Sequence, residues 1–76
     1  MKMTINNLNY ESYVDEECED SITIEVTRLD GEFVCQYDII FEGNEVVDYS
    51  GIAELDSDDI AFIRALGFNT NEVETE

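Results

Sequence analysis

A chain of 76 residues supports one thin core with little stability in reserve, which leaves little material for a deep cleft. Apolar residues at 43% and aromatics at 11% suffice for a globular fold and argue against disorder. The charge stands apart: twenty Asp and Glu face only Lys2, Arg28 and Arg64, a net of −17 at pH 7, and that sign excludes direct binding to nucleic-acid phosphates or to an anionic membrane surface.

The opening MKMTINN lacks the apolar stretch of a signal peptide, and no segment approaches the ~20 apolar residues of a membrane span. Cys18 and Cys35 stand in unrelated contexts without metal-type spacing and read as reduced thiols, so the expected compartment is the cytoplasm. The segment MTINNLNYESYV alternates weakly and predicts one strand. VDEECED follows, Val14 to Asp20, with Asp15, Glu16, Glu17, Glu19 and Asp20 crowded around Cys18. On its own such a run is a solvated loop between two strands.

The clearest element is a hairpin, SITIEVTRL and EFVCQYDIIF joined by Asp30-Gly31. Asp-Gly between alternating runs predicts a two-residue type I′ turn. That turn sets Arg28 opposite Phe33, Val26 opposite Cys35, Ile24 opposite Tyr37 and Ile22 opposite Ile39, all on one apolar face. The other face carries Thr23, Glu25, Thr27, Gln36 and Asp38, with Leu29 and Val34 near the turn, and reads as wet. Glu42-Gly43-Asn44-Glu45 signals a second turn into VVDYSGI, a third strand. A two-residue loop would set Phe41 opposite Val46. A three-residue loop would set Phe41 opposite Val47 and Ile39 opposite Tyr49, the better apolar match.

LDSDDIAFIRALGF predicts the helix. Asp56 or Ser57 caps it, Asp58 and Asp59 occupy the dipole-favoured first turn, and Ile60, Ile63 and Leu66 recur at helical spacing. Gly67 supplies the left-handed stop, with Phe68 folding back. The tail, about 69–76, should fray. The expected architecture is a single α+β domain over residues 1–76. It comprises a three- or four-stranded antiparallel meander with one short helix packed on the apolar face.

Chemistry is limited by what the chain lacks. Without histidine, the usual general base and the commonest zinc ligand are missing. Cys18 among carboxylates is a poor nucleophile, and Cys35 reads as a core residue. DSDDIAF begins like a calcium loop but lacks the third ligand position and the glycine of an EF-hand. Neither an enzyme nor a cofactor or metal protein is expected. Alternate residues of a strand lie roughly 6.5–7 Å apart, close to the ~7 Å between phosphates along a nucleic-acid strand. Carboxylates arrayed on a folded surface can therefore imitate that strand and occupy a basic groove.

By size, charge and near-absence of Lys and Arg, the chain resembles the small acidic DNA mimics encoded by phages, among them anti-restriction proteins and anti-CRISPR inhibitors. The resemblance covers the whole chain without a diagnostic motif. It implies a cytoplasmic inhibitor, monomer or homodimer, whose partner is the nucleic-acid-binding surface of a bacterial defence effector. Asp15, Glu16, Glu17, Glu19 and Asp20, the sheet positions Glu25 and Asp38, and Asp56, Asp58 and Asp59 would stand in for phosphates. The competing expectation is an antidote or assembly partner of one basic protein, acting without mimicry through acidic residues and an exposed apolar patch at Tyr10, Tyr13 and Val14.

Overall fold

The computed structural model of the chain describes residues 1–14 and 16–74. Five antiparallel strands lie in sequence order, β1 (Lys2–Ile5), β2 (Leu8–Val14), β3 (Ser21–Arg28), β4 (Phe33–Glu42) and β5 (Glu45–Ser50), followed by helix α1 (Ser57–Ala65). The α+β class holds, but the strand count is five, not three or four. The difference lies in the N-terminal segment, which folds as a hairpin of its own. Asn6 and Asn7 adopt φ of 49° and 66°, and Ile5 pairs with Leu8 across them. Two successive left-handed residues make a type I′ turn, and asparagine tolerates that conformation better than most residues.

The β3–β4 register is as expected from Ile22 opposite Ile39 through Val26 opposite Cys35. At the tip it differs: Thr27 pairs with Phe33, and the expected Arg28–Phe33 pair does not form. Only Gly31 has positive φ there, and the Arg28 N–H bonds the Glu32 carbonyl at 2.8 Å. The turn therefore holds three residues, and a bulge beside Val26 restores the register. A bulge also settles β4–β5. Phe41 pairs with Val46 around Gly43-Asn44, so the expected Phe41–Val47 pair is absent. One residue is then taken up, and Ile39 faces Tyr49 as expected.

Asp56 caps α1 in a reciprocal box: its carboxylate accepts from the Asp59 N–H at 2.8 Å, and the Asp59 carboxylate accepts from the Asp56 N–H at 3.1 Å. At the other end the Gly67 N–H bonds the Arg64 carbonyl and the Phe68 N–H bonds that of Ile63, with Gly67 at φ 102°, so the helix ends in a Schellman motif. Phe68 then packs its ring 4.7 Å from that of Phe41. The helix lays Phe62 and Ile63 onto Tyr10, Ile24, Val26, Tyr37, Ile39 and Val46, which together form the core. Gly51, at φ 95°, carries the chain off β5 where an added Cβ would come within 3.2 Å of the Gln36 carbonyl oxygen.

Residues 69–74 are docked, against the expectation of a frayed tail. Asn69 forms a parallel bridge with Glu45, Thr70 is buried, and Val73 packs on the core. The Arg64 side chain reaches Thr70 Oγ1 at 3.1 Å and Glu74 at 2.6 Å, drawing this segment over the free edge of β5. Among the described residues, no helix is long and apolar enough to cross a membrane.

Candidate functional site: the uncompensated carboxylates

Alternation along β2, β3 and β4 sends Glu11, Glu25 and Asp38 to the face opposite α1. The β2–β3 register places Glu11 directly opposite Glu25, a like-charge cross-strand pair that destabilises a sheet. The Tyr13 hydroxyl donates to Glu11 at 2.7 Å, and that carboxylate holds the tyrosine pKa up at about 12. Asp38 accepts from Thr23 Oγ1 at 2.6 Å. Asp48 on β5 also belongs to this face, opposite Ile40. Glu25 and Asp38 were legible from the β3–β4 alternation. Glu11 and Asp48 were missed, the first because the Asn-Asn turn went unread and the second because the β4–β5 register was open.

Of the acidic run, Glu16, Glu17, Glu19 and Asp20 are exposed at the end of the sheet, while Asp15 lies outside the described residues. The Phe41 N–H bonds the Asp20 carbonyl at 2.9 Å, fixing the base of this loop to β4. The loop and the β4–β5 turn line an open concavity that includes Glu16, Glu19, Asp20 and Glu42. Loop and turn thereby add their charges at one end of the molecule.

The helix start behaves differently. Asp56 is exposed, with one oxygen engaged as the cap. Asp58 is half-buried, and its two carboxylate oxygens accept from the Asn6 Nδ2 at 2.8 and 2.9 Å, which ties the β1–β2 turn to the helix. Asp59 is only 4% exposed, against the expectation that it forms part of a partner-binding surface. It shares a helix face with Phe62 and Ile63, and its carboxylate accepts from the Tyr37 hydroxyl at 2.7 Å within the core. Burial pushes its pKa up, helped by the neighbouring Asp56 carboxylate and opposed by the hydrogen bonds it accepts. Burial likewise raises the Tyr37 hydroxyl and the Cys35 thiol. Tyr10 is also buried, at 2% exposure, so it leaves the expected apolar patch, while Tyr13 and Val14 are exposed.

Three cations cannot neutralise twenty carboxylates, and one of the three, Arg64, is already paired with Glu74. No group of three or more His, Cys, Asp or Glu among the described residues is arranged to hold a metal ion. The melting temperature should therefore rise from low ionic strength to about 0.5 M NaCl, because screening shortens the reach of the repulsion. A melting temperature that is flat or falling with salt would show that these charges do not strain the fold.

The molecule belongs to a plain structural class, an antiparallel meander with one face covered by a helix and the other open and acidic. Comparisons with protein-family models, curated proteins and solved structures give no match to this chain.

Proposed function

We propose that this protein is an acidic inhibitor that imitates nucleic acid and occupies the DNA- or RNA-binding surface of a basic protein, a bacterial defence effector of the restriction or CRISPR type. One observation carries the reading: Glu11 and Glu25 are held opposite each other on an open sheet face, and Lys2, which stands opposite Glu11 on β1, makes no ion pair with either of them. Repulsion retained at that position is relieved when a cationic surface covers it. The exposed loop carboxylates Glu16, Glu19 and Asp20 extend the same field beyond the end of the sheet. Asp59 takes no part, since it lies in the core, and Asp58 already serves Asn6.

The test begins with the partner captured from a bacterial lysate. Its affinity should fall steeply with salt, and duplex or single-stranded DNA or RNA should displace the protein from it. Replacing Glu11, Glu25 and Asp38 by Gln or Asn, and separately Glu16, Glu17, Glu19 and Asp20, should each flatten the salt dependence while the circular-dichroism spectrum is unchanged. Failure of nucleic acid to compete at any concentration would replace mimicry by the antidote reading.

A further inference from the structure

The two edges of the sheet are treated differently. The β5 edge is bridged at its start by the returning chain, with the Asn69 carbonyl accepting from the Val46 N–H at 2.9 Å and the Asn69 N–H donating to the Asn44 carbonyl at 2.7 Å. On the β1 side, none of the described elements pairs beyond Lys2–Ile5. From this edge we infer that the protein forms a symmetric dimer by antiparallel β1–β1 pairing, joining two five-stranded sheets into one of ten strands. The inference is independent of the proposed function.

Charge selects a second copy of the chain as the occupant. Residues 1–10 contain no Asp or Glu, and β1 alone among the five strands carries no carboxylate. In a molecule of net charge −17, this edge is where two copies meet with the least repulsion. Lysine on an edge strand ordinarily discourages pairing. Here Lys2 stands opposite its own Glu11, and the surrounding field is acidic, so the cation is attractive to a second copy.

The hydrogen-bond pattern fixes the register. The Met1 carbonyl accepts from the Ser12 N–H at 3.0 Å, which makes Met1–Ser12, Met3–Tyr10 and Ile5–Leu8 the inward-bonding pairs of the ladder. The backbone N–H and C=O groups of Lys2 and Thr4 consequently point outward, away from β2. A two-fold axis through Met3 sets Lys2 opposite Thr4 of the second copy, and symmetry repeats the pair, so all four outward groups on each strand are satisfied. Met3 then meets its own copy, and Met1 meets Ile5. Met1 and Met3, 56% and 37% accessible, are the exposed apolar side chains of this edge, and Ile5 is half-buried against the core. Apolar burial falls on the helix side of the sheet and leaves the carboxylate face uncovered.

Sedimentation equilibrium from micromolar to submillimolar protein in about 0.5 M NaCl, where repulsion is screened, should show the mass doubling with concentration. Thr4→Pro removes an outward N–H that the β1–β2 ladder does not use, so it should give a folded monomer. Met3→Lys places two like charges on the two-fold axis and should do the same. If Thr4→Pro fails to fold, Met3→Lys decides the matter alone. A wild-type mass of one chain at every concentration would overturn the proposal, as would a folded Met3→Lys protein that dimerises like the wild type.

Discussion

Ile24→Asp is expected to abolish the fold, while Glu25→Ala one residue along the same strand leaves it intact and raises its melting temperature. Ile24 is fully buried, facing Tyr37 on β4 and Ser12 on β2, and no cation lies in the core to receive a carboxylate. An unpaired buried charge costs several kcal/mol. A domain of this size holds only about 4–11 kcal/mol in total, taking 0.05–0.15 kcal/mol per residue. Glu25 points the other way, and its removal ends the repulsion with Glu11, a gain of a few tenths to about 1 kcal/mol. Circular dichroism and thermal melts of the two variants decide this. A folded Ile24→Asp protein, or an unfolded Glu25→Ala protein, would mean that the two faces of the sheet are reversed.

Acidification towards the ordinary carboxylate pKa should stabilise the protein, contrary to the behaviour of domains whose carboxylates are salt-bridged. The sign follows from Asp59. Burial raises its folded pKa above the ordinary value of 3.8, so the native state holds a proton that the unfolded chain has already released. Its contribution is fully present below the unfolded value and is lost as pH rises through the raised one. Asp59→Asn keeps a single side-chain oxygen and cannot ionise. It should be less stable than the wild type at low pH, because one of the two hydrogen bonds is lost, and it should show a shallower rise on acidification. Neutralisation of surface carboxylates acts on both proteins alike and cancels in the comparison. Equal slopes for the two proteins would show that Asp59 is not the titrating group, and a wild-type melting temperature that falls steadily on acidification towards pH 3.8 would refute the argument altogether.

Much of the fold was legible because local chemistry and the apolar pattern agreed. Alternation paired Ile24 with Tyr37 and Val26 with Cys35, and Gly67 after an apolar period of three and four ended the helix. What escaped did so for identifiable reasons. Asn6-Asn7 is a weaker turn signal than Asp-Gly, although both residues take up the left-handed conformation. Bulges are invisible to a period of two: the one at Val26/Thr27 shifts a register that the Asp-Gly turn fixes, and the one at Ile40/Phe41 combines the two registers that the second turn leaves open. The docking of residues 69–74 depends on Arg64 and on the β5 edge, both distant in sequence. Asp59 was misread because its place in the first turn suited the helix dipole. Its spacing of three and four from Phe62 and Ile63 had already put it on the inner face.

The bond between Tyr37 and Asp59 also determines which way the helix lies. Apolar contacts such as Phe62 against Tyr10, with ring centroids 5.5 Å apart, tolerate rotation and sliding because oily surfaces fit one another in many ways. A carboxylate does not. Turning α1 by one residue would carry Asp59 off the Tyr37 hydroxyl and leave that buried hydroxyl without its acceptor, so the neighbouring poses are disfavoured. A core too small to discriminate by shape thus obtains a unique arrangement from one polar pin, at the expense of some of the stability that an aliphatic residue there would have supplied.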